Sequence, residues 1–215
     1  PLWQTAESGA APPPRFKTYS EKQLDQIPAI DKLSASQRFA MQVVSKVLPF
    51  RVSHHVVDDL IDWTAVPDDP LFQLTFPQRE MLDEAHFDQI AHALERGAPR
   101  AEIKTIASAI RAELNPHPAG QQEHNVPLLD GQPLPGLQHK YDQTVLFFPS
   151  QGQTCHSYCT FCFRWAQFIG DKDLKFASGD AEQLHRYLIA HPEVSDLLIT
   201  GGDPMVMKTH VLANY

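Results

Sequence analysis

Apolar positions recur along the chain at two different periods, and the change between them divides it. From about residue 20 to 115 the period is helical. Ser34 and Gln37 have capping-box spacing and open a run in which Phe39, Ala40, Val43, Val44, Val47 and Leu48 share a face. Pro49 ends that run. Ser20 with Gln23 is a second capping-box signal. A short helix is expected next, with Val56, Val57, Leu60 and Ile61 on one side. Pro67 to Pro77 reads as a loop with turn signals at Asp68-Asp69-Pro70 and Phe76-Pro77. Further helices are predicted near 84–96 and 100–114, separated by Gly97 and Pro99. Trp63 reads as core, and Glu80, Asp83 and Glu84 as a solvated helix face. Residues 115–137, rich in Pro and Gly, are expected to wrap over a surface.

The texture then changes. Val145 to Phe148 is a short continuous apolar run, as a buried parallel strand requires. Residues 180–191 read as a helix with Leu184, Tyr187, Leu188 and Ile189 as its apolar side. Leu197 to Thr200 reads as a second buried strand, and it runs straight into Gly201-Gly202-Asp203-Pro204. Strand, helix and strand together predict a βαβ unit. The expected organisation is a flexible tail over 1–19, a helical region over 20–137, and an α/β region over 138–215. The first residue is Pro1, and Tyr215 closes what reads as a helix in progress, so the chain reads as a piece of a longer protein.

Composition narrows the function. The chain has 215 residues, 42% of them hydrophobic, enough for a sizeable core. A net charge of -8 with no Lys/Arg-rich run argues against nucleic-acid binding. No apolar stretch approaches the ~20 residues of a membrane span, and no signal-peptide pattern opens the chain. Its 3 cysteines are too few and too clustered for a secreted disulfide scaffold. They suggest a cytoplasmic protein with a metal or redox site.

Those cysteines read Cys155-His-Ser-Tyr-Cys159-Thr-Phe-Cys162. Thiolates are soft ligands that favour iron–sulfur clusters or zinc. A four-iron cluster usually takes four thiolates; with three, one iron stays open to chelate a substrate. A structural zinc site with His156 as fourth ligand is an alternative, and so is an electron-transfer cluster with a fourth cysteine beyond Tyr215.

The C-x3-C-x-aromatic-C loop after a first strand, with Gly201-Gly202-Asp203-Pro204 ending a second, resembles the radical S-adenosylmethionine (SAM) superfamily. Further stretches resemble its lysine 2,3-aminomutase family: Phe50-Arg51-Val52-Ser53 leading to Asp59-Leu60-Ile61-Asp62-Trp63, Gly136 to Tyr141, Cys162-Phe163-Arg164, and Thr200 to Met205. The resemblance implies a truncated, partial radical SAM (β/α) barrel with a helical N-terminal extension. It implies a 4Fe-4S cluster on Cys155, Cys159 and Cys162, and SAM held by Phe161, Gly201, Gly202 and Asp203. It also implies pyridoxal 5'-phosphate (PLP), whose lysine would lie outside this chain, and an isomerase that uses a 5'-deoxyadenosyl radical to move an amino group from C2 to C3 of an amino acid. Arg164 would grip the substrate carboxylate and Tyr141 would lie near the cofactor. A flavodoxin- or ferredoxin-type electron donor and a homo-oligomer belong to the same implication. Two departures stand out. Thr144 replaces an arginine that follows the family's His-Arg-Tyr, and Trp165 follows Arg164 where the family favours a second arginine. They leave open an enzyme of the same lineage that lacks PLP.

Overall fold

The computed structural model of the chain describes residues 16–115, 123–170 and 175–215. Most of the anticipated tail, and residues 116–122 and 171–174, lie outside them.

The first half is built on a helix triplet. Ser34 and Gln37 do form a reciprocal cap, and α1 runs Ala35–Val47. It packs Val43, Val44 and Val47, all fully buried, against α3 (Glu84–Glu95) and α4 (Arg100–Leu114), with α2 (Pro70–Thr75) between in sequence. Asp83 is no mere solvated acid, since its carboxylate caps α3 by accepting the His86 backbone N–H at 2.7 Å. Gly97 closes α3 with φ +66, where glycine avoids a Cβ clash.

Several expectations give way here. The supposed loop after Pro67 contains α2, because Asp69 caps it and Pro70 occupies its first turn, a helix-start signal as much as a turn signal. The Ser20–Gln23 box starts only a 3-10 helix, Glu21–Gln26. The turn at Val56–Leu60 is π-helical; it buries Val57 and leaves Leu60 44% exposed. Thr18 and Tyr19, placed in the tail by composition, belong with Ser20 to a strand, Thr18–Ser20. This β1 pairs antiparallel with β2 (Arg51–Ser53) and buries Tyr19. Trp63 is core as expected, edge-on to Phe72 and Phe76.

The second half opens with a hairpin that the sequence reading missed. β3 (Leu128–Leu129) and β4 (Gln132–Pro133) are joined by Asp130-Gly131, both at positive φ, the geometry Asp-Gly favours in a two-residue turn. β5 (Leu137–Tyr141) then pairs antiparallel with β6 (Thr144–Phe147), and β6 pairs parallel with β7 (Asp196–Ile199). Between the parallel strands runs α5 (Ala181–Ala190), capped by Asp180. The βαβ unit is therefore present, with an added antiparallel strand. Its core is Leu137, Val145, Phe147, Leu184 and Tyr187. Ile189, read on the apolar side of α5, is 81% exposed, and Leu198 of the strand expected to be buried is 53% exposed, because the described residues put no layer over that face of β7. A short α6 (Thr209–Leu212) follows, and the Tyr215 ring packs on Phe147. The architecture is mixed α/β with small sheets, and no closed barrel occurs among the described residues. No described helix is long and apolar enough to cross a membrane.

Candidate functional site

Parallel pairing brings the C-terminal ends of β6 and β7 together, and ligand-binding loops in α/β sheets belong at that end. After β6 the chain makes a 3-10 turn at Ser150–Gly152 and enters the cysteine loop. After β7 it enters Gly201-Gly202-Asp203-Pro204. The two loops are bonded together: the Gly202 N–H donates to the Gly152 carbonyl at 3.1 Å and the Asp203 N–H to the Thr154 carbonyl at 2.6 Å. A Cβ on Gly202 would overlap the Thr154 backbone, and one on Gly201, at φ +133, would overlap the Gln153 side chain. The sequence reading gave these glycines to a close ligand. On their side-chain faces, the space is filled by the chain's own leader into Cys155.

The opposite side of the loop is fastened to the first half. The Tyr158 N–H donates to the Arg51 carbonyl at 2.8 Å, and the Thr160 N–H to the Leu74 carbonyl at 2.8 Å. The Ser157 hydroxyl accepts the Ser53 N–H at 3.0 Å. The loop thus lies between β2 and α2 on one side and the β7 turn on the other. Tyr158 also stacks on Phe168, with ring centroids 4.7 Å apart.

All three cysteines are free thiols, with Cys159 exposed and the other two half-buried. Burial pushes the Cys155 thiol up to about 11, with Cys162, Asp203 and Cys159 adding to the rise and the Arg51 charge opposing it. Burial raises Cys162 too, against a hydrogen bond from the Arg164 backbone. Burial also lowers Arg164, while the two half-buried sulfurs draw it back. These mutual effects put the sulfurs, both arginines and Asp203 in one electrostatic neighbourhood.

Of the residues implied as ligands and contacts, Cys155, Cys159, Cys162, Gly201, Gly202, Asp203 and Arg164 come together. Arg164 lies over the Phe148 ring at 4.3 Å, and its Nε is buried without a partner among the described residues. Phe161 sits in the loop, 78% exposed, as does Phe163 at 83%. Tyr141 is not brought in. It pairs with Thr144, the first residue of β6, at the end of the sheet away from the loop, and is 62% exposed. Sequence reasoning missed the hydrogen-bonded pair His156–Asp203 and the role of Arg51. An arginine between the apolar Phe50 and Val52 was the available signal for the second.

Among the described residues, no three His, Cys, Asp or Glu side chains converge as ligands of one metal ion. In a four-iron cluster each thiolate takes a different iron, so the sulfurs stand apart. Three thiols on one pinned loop fit that donor set.

The chain matches several curated proteins. It is 29% identical to the L-lysine 2,3-aminomutase of Bacillus subtilis over 70% of this chain and 37% of that protein. It is 30% identical to the L-lysine 2,3-aminomutase of Acetoanaerobium sticklandii over 53% of this chain and 27% of that one. The Escherichia coli enzyme of the same name is 31% identical over 43% of this chain and 24% of its own length. The chain is similar, over part of its length, to lysine 2,3-aminomutases. The chain spans 24–38% of the length of the curated relatives it matches first. No protein-family model matches it, and neither does any solved structure.

Proposed function

We propose that the chain is the cluster-bearing part of a radical SAM, PLP-dependent amino acid 2,3-aminomutase, an isomerase acting on lysine or a similar amino acid. The observation that carries the reading is the three-thiol loop pinned against the Gly-Gly-Asp-Pro turn at the strand ends, in a chain whose relatives bear that name. In this reading the βαβ unit opens a partial (β/α) barrel. Cys155, Cys159 and Cys162 hold a 4Fe-4S cluster and leave one iron for SAM. Bound there, cluster and SAM supply the 5'-deoxyadenosyl radical chemistry.

The chain's own residues have positional tasks. Phe161, exposed in the loop, offers a ring face to the adenine. Gly201 and Gly202 shape the turn that meets SAM, and Asp203 fixes it to the loop. Arg164 holds a guanidinium half-buried beside the sulfurs, and its unpartnered Nε suits a substrate carboxylate. A cytoplasmic setting, a flavodoxin- or ferredoxin-type donor and a homo-oligomer complete the proposal.

The test is conversion of L-lysine to its β-amino isomer by the protein expressed from its complete gene, loaded with iron, sulfide and PLP and supplied with SAM under reducing, anaerobic conditions. Formation of the β-isomer, lost in Arg164→Ala at equal iron content, supports the reading. SAM cleavage without any amino-group migration would overturn the aminomutase part.

A second reading, a radical SAM enzyme of this lineage without PLP, draws on one observation. Tyr141 and Thr144 sit together at the sheet end away from the loop, and no arginine occupies position 144. Visible absorbance of bound PLP in the purified protein would argue against it.

A further inference from the structure

Arg51 has no part in the chemistry proposed above, yet it grips the cysteine loop twice. It is the first residue of β2, flanked by Phe50 (6% exposed) and Val52 (0%). Its carbonyl accepts the Tyr158 N–H at 2.8 Å. Its Nη1 donates to the Thr154 hydroxyl at 3.0 Å, across 103 positions of sequence. Thr154 precedes Cys155 and Tyr158 precedes Cys159. One residue of the first half therefore fixes both ends of the interval between the first two thiols.

The guanidinium is also incompletely used. Its Nε is buried with no hydrogen-bond partner among the described residues, and Arg51 forms no ion pair with a carboxylate there. A buried N–H on a charged group is costly to leave unmatched, so such a donor calls for an acceptor. Its charge already bears on the Cys155 sulfur. A bridge to Thr154 alone would not need a permanent cation, because a neutral donor could make it.

We propose that Arg51 is a positioning residue for the iron–sulfur cluster: it holds the Cys155–Cys159 interval in ligating register, and its fixed charge and free Nε–H offset the negative charge of the thiolate-bound cluster. This rests on the cluster reading above. Outer partners of this kind orient ligands and tune a metal's properties without touching it, and cluster potentials respond to nearby charge and to hydrogen bonds at sulfur. A cation stabilises the reduced, more negative state, so its removal lowers the reduction potential.

The experiment uses the protein expressed from its complete gene, reconstituted without oxygen, as wild type, Arg51→Gln, Arg51→Lys and Thr154→Val. Iron and sulfide are counted, the midpoint potential is read by spectroscopically monitored redox titration, and the rate of iron loss to a chelator is timed. Arg51→Gln is expected to shift the potential downward, and Arg51→Lys to restore most of that shift. Thr154→Val is expected to keep the potential but lose iron roughly tenfold faster, the scale of a lost outer-shell partner. An Arg51→Gln protein with wild-type potential and wild-type iron loss would overturn the proposal. Should Arg51→Gln fail to fold, unchanged iron loss in Thr154→Val would overturn it instead. A wild type that holds no iron–sulfur cluster sinks the cluster reading itself, a result distinguishable from either.

Discussion

His156, inside the first cysteine interval, lies 2.7 Å from the Asp203 carboxylate of the turn after β7. The other oxygen of Asp203 accepts the Met205 N–H at 2.9 Å and so caps the short helical turn that follows. One side chain thus joins the loop that carries the thiols to the strand end that shapes the opposite wall.

Removing that side chain should be felt in both places. Asp203→Ala loses a cap and a half-exposed ion pair, a cost of about 1–2 kcal/mol. Asp203→Asn keeps the capping oxygen and should cost less. Urea unfolding of the two variants checks the order, and equal midpoints for wild type and Asp203→Ala would contradict the role given to Asp203.

Gly202→Ala should be worse than its size suggests. The added Cβ meets the Thr154 backbone, which cannot swing aside as a side chain could. Overpacking of this kind costs about 1–3 kcal/mol, and the strain falls on the segment entering Cys155. Gly97→Ala is the control: nothing lies within 4 Å of its Cβ, and only the positive φ resists it, for about 1 kcal/mol. Thermal melts should rank the two variants in that order, and iron retention should fall only in Gly202→Ala.

Periodicity and chemistry were legible in the sequence to different depths. The helices α1, α3, α4 and α5 declared themselves because each carries an apolar face at helical period, with a capping box read at α1 and Gly97 and Pro99 marking the break between α3 and α4. The loop–turn pairing followed from two apolar strands that each end in a functional motif. β1, β2 and the β3–β4 hairpin stayed hidden because each strand is only two or three residues long, too short for alternation to show. Asp69-Pro70 was misread because the same dipeptide starts turns and helices. The clamp on the loop was invisible for another reason: Arg51 and Thr154 are 103 positions apart, and nothing local announces the pairing.

Phe161 and Phe72 should separate function from stability. Phe72 is 1% exposed, and its truncation to Ala should cost about 3–5 kcal/mol. Phe161 is 78% exposed, so Phe161→Ala should change stability by less than about 0.5 kcal/mol. If its ring covers the adenine, the same variant raises the SAM concentration needed for half-maximal cleavage. A wild-type SAM dependence in Phe161→Ala would remove it from the site.

The buried thiol predicts a pH dependence of the metal-free protein. Cys155 titrates near 9.0 ordinarily and at about 11 when folded. Between those values the unfolded chain has released the proton and the folded chain has kept it. Stability is therefore complete below about 9 and falls as pH rises toward 11. Denaturation midpoints measured across that window should decline, and Cys155→Ser should flatten the decline. Metal ligation needs the thiolate, so loading releases this proton and should run faster as pH rises through neutrality.

In the proposed function, Cys155, Cys159 and Cys162 hold a catalytic four-iron cluster. Its most direct test counts iron and sulfide in the protein expressed from its complete gene and reconstituted anaerobically, then looks for 5'-deoxyadenosine after adding SAM and a strong reductant. About four irons and four sulfides per chain are expected, with SAM cleaved, and both are lost in Cys159→Ala. Zinc in place of iron, or a cluster that never cleaves SAM, would contradict it.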